Sequence, residues 1–488
     1  MHRNRFHILG RCQALNATET LASGYGRADG ASDAPRKFLS LFSGAMGLDL
    51  GLEAAGFEVA GCLELDRKAC ATIRANRPEL PVVSDDIRNW TGAELLERFG
   101  IRADAVAFIA GGPPCPSFST AGKRQSFHDP RGQVMFDFLR IVSEIRPPFF
   151  VMENVRGILS AALDHVPLAR RGAKVSVAKG SVLRQLHERF ADMGYTVTVE
   201  LVNAANYGTP QKRERVVFLG SRDGLQLTMP PGAYAPEASL FCRKWRSLGE
   251  ALDGLDDPVP EFIPFSKSRE RFLALLKEGE NWRSLPEKLQ AEALGGAYRS
   301  SGGRVGFFRR LRFDEPSPTV PTSPVQKSTC ICHPTELRPL SVKEYARVQQ
   351  FPDDWRFVGS LADRYRQIGN AVPLGLGYAI GTVLRRFLFN YEILEGRKAP
   401  TRAGQDKVFR ELAGQAFWEE LTGDPEFYLR IIAAMQAKPA EHKRAFREEW
   451  GKAINRFLRE FTVDFCRPDG AIDWDRLLRY NSGVSKTV

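Results

Sequence analysis

Short apolar runs alternate with amphipathic helical patterns along the chain from residue 36 to residue 221. Each apolar run has the length of a strand and is followed by a segment of helical period, as in RKFLSLF then GLDLGLEAAG, FEVAGCLEL then DRKACATIRAN, and ADAVAFIAGG then QVMFDFLRIVSEI. The alternation continues through PPFFVMEN, SVLRQLHERFADMG, YTVTVELVNA and RERVVFLGS. Apolar strands joined by helices are typical of a parallel sheet covered on both faces. The pattern predicts an α/β fold with a doubly wound, mostly parallel sheet.

Changes in this pattern mark the domain organisation. They predict a disordered leader at residues 1–35 and an α/β domain at 36–221, which is completed by 366–390. A smaller irregular lobe follows at 222–340, and a helical C-terminal extension at 400–488. The leader is polar and lacks periodicity. In the lobe, turn residues and isolated aromatic residues replace the alternation up to about residue 308. GNAVPLGLGYAIGTVLRRFL predicts a long helix with Pro373 in its first turn.

Charge and cysteine usage narrow the class of partner. The 488 residues carry a formal net charge of +11, which suits a polyanion such as nucleic acid, although charge alone leaves an ordinary basic protein equally open. No apolar run has the length of a membrane span, and the N-terminus lacks the apolar core of a signal peptide, so we predict a cytoplasmic protein. Cys330 and Cys332 lie beside His333, but no second ligand pair follows, so no metal site is predicted.

A glycine turn after the first strand predicts a cofactor site. In FSGAMG, Gly44 and Gly47 stand where backbone must bend or approach a ligand, but the turn lacks the first glycine of the GxGxxG pattern that holds a pyrophosphate. Glu64 ends the second strand, where an acidic residue takes ribose hydroxyls. Asp86 and Ile87 follow the third strand, placed to grip an adenine edge and face. An adenosine without a pyrophosphate fits S-adenosylmethionine; the alternative is that the glycines merely turn a strand–helix corner.

A cysteine and a glutamate follow the next two strands. Cys115 stands in GGPPCPSFSTAG after the fourth strand, and Glu153 ends the fifth strand in PPFFVMENVRG. The carboxyl ends of parallel strands meet at one edge of a sheet, where such folds bind their ligands. We therefore expect the thiol, the carboxyl group and the cofactor to share one crevice.

These segments together resemble the DNA (cytosine-5)-methyltransferase family, of the bacterial restriction-modification type. FSGAMG, LELD, DDI, GPPCPSFS, ENV, QKRER, the DEPSPT segment and GNAV follow one another in the family's order between residues 37 and 385. Each is weak alone, but their joint order is highly specific. The resemblance implies a cofactor site for S-adenosylmethionine formed by Phe42, Ser43, Gly44, Gly47, Leu48, Glu64, Leu65, Asp86, Ile87, Pro114, Asn370, Ala371 and Val372.

The resemblance also implies covalent catalysis on cytosine. Addition of the Cys115 thiolate to carbon 6 places electron density on carbon 5, which can then accept a methyl group. Glu153 would hydrogen-bond ring nitrogen 3 and the exocyclic amine, with Asn154 and Val155 completing the ENV motif. Arg213 and Arg215 would hold the cytosine carbonyl oxygen and orient Glu153 or a phosphate.

The target carbon is inaccessible inside a duplex, so the base must flip out. SFSTAGKRQSFHDPRG suits a mobile loop that closes over DNA, with contacts from Ser119, Lys123, Arg124 and Arg131; the alternative is an ordinary surface loop. Many family members have glutamine where this chain has Pro116, which leaves open what fills the gap left by the flipped base.

The lobe at 222–340 corresponds to the family's target-recognition region. Its basic residues suit guanine edges or phosphates, and the sequence does not separate the two roles for Arg243, Lys244, Arg246, Arg269, Arg271, Arg299 and Arg304. The expected partner is double-stranded DNA, with a monomeric enzyme and a cognate restriction endonuclease acting on the same site. Two alternatives stay open: a tRNA cytosine-5 methyltransferase, and a non-catalytic DNA-binding protein on the same scaffold.

Overall fold

The computed structural model describes residues 36–114, 130–161, 180–230, 232–238, 243–299 and 306–394. The predicted leader, the predicted helical extension and the segment 115–129 lie outside the described residues. Within the described ranges the strands are β1 (Arg36–Leu41), β2 (Phe57–Glu64), β3 (Val82–Ser84), β4 (Val106–Gly111), β5 (Phe149–Val155), β6 (Thr196–Asn203), β7 (Gln211–Lys212), β8 (Glu214–Ser221), β9 (Tyr234–Ala235), β10 (Arg243–Lys244), β11 (Arg309–Arg310), β12 (Ser317–Pro318) and β13 (Ile331–Cys332).

Seven of these strands pair into one sheet in the order β3-β2-β1-β4-β5-β8-β6. Only β8 runs against the other six, between β5 and β6. The prediction of a mostly parallel α/β sheet is therefore confirmed. The remaining strands form three two-residue pairings, β9 with β10, β11 with β13, and β7 with β12.

Helices cover both faces of the sheet. They are α1 (Gly47–Ala54), α2 (Arg67–Asn76), α3 (Gly92–Phe99), α4 (Pro130–Ile145), α5 (Ser181–Asp192), α6 (Leu248–Leu252), α7 (Lys267–Leu273), α8 (Glu287–Leu294), α9 (Val342–Val348), α10 (Leu361–Asn370) and α11 (Leu374–Leu394). Phe150 packs into the apolar core on the side of α3, α4 and α5, and its neighbour Val151 packs into the core on the side of α1 and α11. Among the described helices, none is long and apolar enough to cross a membrane.

The strand directions bring the candidate residues to one edge of the sheet. β1, β2, β4 and β5 all end there, because they are parallel. The antiparallel β8 begins at the same edge, where Arg215 lies opposite Val155 at the end of β5. The edge thus receives the turn after β1, the end of β2, the loop after β4, the end of β5 and the start of β8.

Helices α1 and α11 are in direct backbone contact. A Cβ atom placed on Gly51 would lie 2.4 Å from the carbonyl oxygen of Leu374, and one on Gly377 would lie 2.6 Å from that of Leu48. Any larger residue at either glycine would force the helices apart. This contact packs α11 against α1, and it places the turn before α11 at the sheet edge.

The predicted long helix is present as α11, but it starts just after Pro373 and not at Gly369. Gly369 and Asn370 end α10, and α11 begins at Leu374, directly after Pro373. Ala371 has extended backbone, with ψ 145°. Pro373 explains the break, because a proline disfavours helical conformation in the residue before it. Residues 371 and 372 therefore lie between the two helices and cross the sheet edge.

Only part of the range 222–340, which was predicted as a separate lobe, packs around a core of its own. Apolar side chains of its helices pack together there, and the buried ones are Phe265, Phe272, Leu273, Leu276, Trp282, Leu285, Ala293, Leu294 and Phe308, joined by the thiols of Cys330 and Cys332. Leu225, Leu248, Leu311 and Val320, from the same range, instead belong to the core around α1 and α11. The range therefore leaves and re-enters the main domain at several points.

Asp49, in the first turn of α1, is a buried carboxyl group. Its exposure is 1%, and among the described residues no basic side chain pairs with it; the Ser40 side chain lowers its pKa but does not offset burial. Burial raises the pKa of Asp49 to about 7, and the nearby carboxylates Glu53 and Glu64 add to the increase. The charged form is thus disfavoured in the folded protein.

We expect stability to fall as pH rises from about 4 to about 7, because the folded state retains the Asp49 proton over that range while the unfolded state loses it. The full effect is on the order of 4 kcal/mol, since one pKa unit is ~1.4 kcal/mol. Asp49→Asn should therefore raise the melting temperature at pH 8 more than at pH 4.5, in scans at constant ionic strength. Exposed Glu79→Gln is the control, and an equal response of the two variants would contradict this assignment.

Gly51→Ala should lower the free energy of unfolding by about 1–3 kcal/mol, although alanine favours helix, because the added methyl group meets α11 backbone. Denaturant unfolding measures the change. Gly296→Ala is the matched control, since a Cβ there meets no atom within 4 Å. A Gly51→Ala protein as stable as Gly296→Ala would show that the two helices are not in contact.

Candidate active site

A buried ion pair occupies the centre of the sheet edge. Arg215 Nε lies 2.7 Å from Glu153 Oε1, and the two side chains are only 12% and 11% exposed. The antiparallel pairing of β5 with β8 sets this contact, since Arg215 faces Val155, two residues beyond Glu153. Burial raises the pKa of Glu153, and Arg215 and then Arg213 oppose that increase.

The second oxygen of Glu153 faces the loop that leads to Cys115. A Cβ placed on Gly112 would lie 3.3 Å from Glu153 Oε2, so the backbone of this loop passes directly beside the carboxylate. Asn154 Nδ2 donates a hydrogen bond to the carbonyl oxygen of Pro113 at 3.2 Å. The residues of the ENV motif therefore hold the start of the loop. Pro114 is exposed and is the last residue described before the gap.

Several predicted residues cannot be placed. Cys115, Ser119, Lys123 and Arg124 lie outside the described residues, as does Pro116. Arg131 is in the first turn of α4, and its side chain is also outside what the structure describes. Their roles remain predictions.

Arg213 lies in a different environment from Arg215. It is 1% exposed, and its Nη2 donates to the carbonyl oxygens of Gly369 at 2.9 Å and Ala371 at 3.0 Å. Its Nη1 lies 3.4 Å from the carbonyl oxygen of Val320. The predicted contact of Arg213 with the cytosine carbonyl oxygen does not fit this geometry, because the guanidinium is enclosed and turned toward backbone carbonyls. Of the two arginines, Arg215 is the one beside Glu153.

The turn after β1 has an unusual backbone. Phe42 has φ 58° and Met46 has φ 69°, both in the left-handed region that non-glycine residues rarely adopt, and Gly44 between them has φ 54°. A Cβ on Gly44 would meet no atom within 4 Å, so this part of the turn borders open space. Ser43 and Leu48, also predicted for the cofactor, are 8% and 7% exposed.

Glu64 joins the turn to the end of β2. Its Oε2 accepts a hydrogen bond from Gly44 N at 2.8 Å, and its Oε1 accepts one from Asp66 N at 2.7 Å. Burial raises the pKa of Glu64, whereas these backbone bonds lower it. Each carboxylate oxygen keeps a lone pair for a further donor, such as a ribose hydroxyl. Leu65, the next residue, exposes 62% of its surface at this edge.

The predicted adenine contacts are only partly available. Asp86 accepts a forked pair of hydrogen bonds from the Arg88 guanidinium, at 2.9 Å and 2.5 Å, and this arginine lowers the pKa of Asp86. Ile87 is 3% exposed and packs into the core beside α3 and α4, so little of its side chain can contact a ligand. Leu65 is the apolar surface that remains open here.

The turn between α10 and α11 meets the turn after β1. A Cβ placed on Gly47 would lie 2.4 Å from the carbonyl oxygen of Val372 and 2.9 Å from Ala371 Cβ. Ala371 and Val372 are buried, whereas Asn370 is exposed. Open space at Gly44, acceptor positions on Glu64 and the exposed faces of Leu65 and Asn370 together suit a nucleoside such as S-adenosylmethionine.

Two buried glutamines were not among the residues predicted from the sequence. Gln211 and Gln349 are both 0% exposed, and Gln211 Nε2 donates to Gln349 Oε1 at 2.9 Å. Gln211 belongs to QKRER, where Gln211, Arg213 and the half-buried Arg215 alternate with exposed Lys212 and Glu214 in the structure. Gln349 lies in a segment that carries no such alternation.

The basic residues of the lobe differ in how far their side chains are free to contact DNA. Arg269 donates to the carbonyl oxygen of Val325 at 2.6 Å, and Arg271 pairs with Glu292. Lys244 and Arg299 are exposed, and Arg304 lies outside the described residues. Arg269 is thus engaged within the protein, whereas the Arg271–Glu292 pair is half-exposed, and Arg243 and Arg246 are half-buried.

Comparison with known proteins identifies the family. The sequence profile of the C-5 cytosine-specific DNA methylases matches residues 36–386. The type II methyltransferase M.PspPI of Psychrobacter is 39% identical over 356 residues, 72% of this chain and 79% of the relative. M.Sau96I of Staphylococcus aureus, also a type II methyltransferase, is 37% identical over 347 residues, 71% of this chain and 75% of the relative.

A solved structure agrees with these relatives. The putative DNA modification methyltransferase of an Escherichia coli prophage is 25% identical and covers 72% of this chain and 99% of its own, with a TM-score of 0.50. Members of the matched family use S-adenosylmethionine as the methyl donor. The family profile extends from β1 into α11, and this chain belongs to the C-5 cytosine-specific DNA methylases of the restriction-modification type.

Proposed function

We propose that this protein methylates carbon 5 of a flipped-out cytosine in a specific duplex DNA site, through a covalent adduct with Cys115 assisted by Glu153. The observation that carries the proposal is the buried Glu153–Arg215 pair, which lies beside the loop leading to Cys115. S-adenosylmethionine, when bound, supplies an electrophilic methyl group. The chain's own residues must therefore make cytosine carbon 5 a nucleophile.

Cys115 performs the addition in this proposal. Its thiolate sulfur forms a bond to carbon 6 of cytosine, and the electron pair of the 5,6 double bond becomes available at carbon 5. After carbon 5 has accepted the methyl group, it loses its proton, the double bond re-forms and the sulfur leaves as thiolate. Pro113 and Pro114 restrict the backbone before the nucleophile, and Asn154 holds the Pro113 carbonyl group.

Glu153 stabilises the ring during this addition. Arg215 occupies one carboxylate oxygen, so the other oxygen, on the side of Gly112, is available for ring nitrogen 3 and the exocyclic amine. Because burial raises the pKa of Glu153, the group can share a proton with nitrogen 3 as negative charge develops on the ring. Arg215 orients the carboxyl group, and Arg213 acts from behind it as a positioning residue.

The cofactor residues follow from the edge geometry. Glu64 accepts ribose hydroxyls beside Gly44, and Leu65 packs against the adenine, with Asp86 sharing its carboxylate between Arg88 and the adenine edge. Asn370 approaches from the opposite side of the site. We further propose that the remaining predicted residues of this pocket, except the buried Ile87, border the same nucleoside, and that Ser119, Lys123, Arg124 and Arg131 contact DNA when the loop closes.

The relatives favour DNA over tRNA as the substrate. M.PspPI and M.Sau96I are type II methyltransferases, and the matched family is described as acting on DNA. A non-catalytic role would not require Cys115 and Glu153, and both are present. We propose that the enzyme acts as a monomer in the bacterial cytoplasm, and that a cognate restriction endonuclease recognises the same DNA site.

Cys115→Ser should abolish methyl transfer and the covalent complex with DNA containing 5-fluorocytosine, because serine is a far weaker nucleophile at neutral pH. Binding of S-adenosylhomocysteine, measured by calorimetry, should be retained. Cys330→Ser is the control, since that thiol lies in the lobe core. Full activity of Cys115→Ser would overturn the proposed mechanism.

Glu153→Gln should slow methyl transfer by roughly 100-fold or more, because the amide cannot take up or release a proton at ring nitrogen 3. Single-turnover rates on duplex DNA measure the effect. Glu214→Gln is a matched control at the same edge, where Glu214 pairs with exposed Arg156. If the two variants react at equal rates, Glu153 does not have the proposed role.

A further inference from the structure

Three buried side chains form one hydrogen-bond network behind the active site. Gln211 Nε2 donates to Gln349 Oε1, and Gln349 Nε2 donates to the carbonyl oxygens of Ile368 at 2.6 Å and Ala371 at 3.0 Å. Arg213 adds its bonds to Gly369 and Ala371. The carbonyl oxygen of Ala371 therefore accepts from both Gln349 and Arg213.

The network satisfies the end of a helix. Ala371 N donates to the carbonyl oxygens of Gln367 and Ile368 at the end of α10, but Gly369 has no regular helical donor because residue 373 is a proline. These carbonyl groups carry the partial negative charge of the helix terminus. The amide of Gln349 and the guanidinium of Arg213 provide donors for them in a site closed to water. The position of these two side chains therefore fixes where α10 ends and how the turn at 370–372 leaves it.

The same side chains also hold the segment that leads back from the lobe. Val320 N donates to Gln211 Oε1 at 2.9 Å, and Arg213 Nη1 lies near the Val320 carbonyl oxygen. A Cβ on Gly369 would lie 2.4 Å from the carbonyl oxygen of Pro321, so this segment touches the end of α10 directly. Three parts of the chain, at β7, at 320–321 and at 368–371, thus meet at one point.

The network extends to the site of chemistry through Arg213. Arg213 links β7 to β8 two residues before Arg215, and its charge is the second, after that of Arg215, to favour the ionised form of Glu153. On its other side, the turn that the network fixes carries Asn370 and contacts Gly47 through Val372. A displacement of Gln349 would therefore reach both the cofactor turn and the carboxylate.

We propose that Gln349 is a positioning residue that couples the cofactor turn at 370–372 to the Glu153–Arg215 pair through Arg213. This inference rests on the proposed function for its kinetic part and on geometry alone for its binding part. Gln349 does not contact substrate. It holds the turn and the guanidinium in register, so its loss weakens cofactor binding and slows the chemical step together.

The test compares Gln349→Leu with Gln350→Leu. Gln350 is half-buried and bonds Thr209 and Gly375, and among the described residues its side chain makes no hydrogen bond to Arg213 or to the turn at 370–372. In the full-length protein, Gln349→Leu should weaken S-adenosylhomocysteine binding by calorimetry about 10-fold and lower kcat about 10-fold, while Gln350→Leu changes each by less than about 2-fold. Thermal unfolding of both variants measures the loss of stability that any buried substitution causes.

A double variant tests whether the network acts as a unit. Gln211→Leu combined with Gln349→Leu should weaken cofactor binding no more than the stronger single variant, because the two amides serve the same turn. Equal effects of Gln349→Leu and Gln350→Leu, or additive effects in the double variant, would overturn the coupling. If the wild-type protein bound the cofactor but transferred no methyl group to DNA, the proposed function would fail while the calorimetric comparison still decided the role of Gln349.

Discussion

A carboxylate that is almost withdrawn from water needs a nearby cation, and Arg215 meets that need for Glu153. The requirement constrains much of the sheet edge. It fixes the antiparallel register of β5 and β8, since a slip of one residue would turn Arg215 to the other face. It also leaves one Glu153 oxygen toward Gly112. The structural demand of burial and the orientation that the proposed catalytic role requires are thus met by the same contact.

A second constraint is that distant parts of the chain must meet at the proposed cofactor site. The turn after β1, which contains Gly44, comes from the start of the domain, whereas Asn370 comes from its other end. The two can meet only if α11 packs closely on α1. Glycines at 51 and 377 allow that approach, and the buried amides and guanidinium behind the site fix the end of α10. Backbone contact and buried hydrogen bonds therefore share the task of closing the site.

Much of the fold could be predicted because its signals are local. Strand–helix alternation predicted the sheet. Because the strands were expected to be parallel, the residues that follow them were expected at one edge of that sheet. The start of α11 was predicted closely because Pro373 marks it. The roles of Arg213 and Ile87 could not be separated from those of their neighbours. Burial depends on what the rest of the chain packs against them, and no short segment contains that information.

Neither the sequence nor the fold of the lobe identifies which of its residues would read the DNA sequence. Its own small core supports helices α7 and α8, Arg269 is bonded to a backbone carbonyl group, and Lys244 and Arg299 are exposed. A recognition surface is defined by shape and by pairing with base edges, so a count of basic residues does not predict it.

The central claim is that this chain transfers methyl groups to cytosine in DNA, and bisulfite sequencing tests it most directly. DNA and tRNA would be taken from cells that lack other cytosine methyltransferases and that express either the wild-type chain or its Glu153→Gln variant. We predict bisulfite-resistant cytosine at one position of one short DNA sequence with the wild-type chain, strongly reduced with the variant, and none in tRNA. Unmodified DNA in cells that contain the folded wild-type protein, or modification confined to tRNA, would contradict the account.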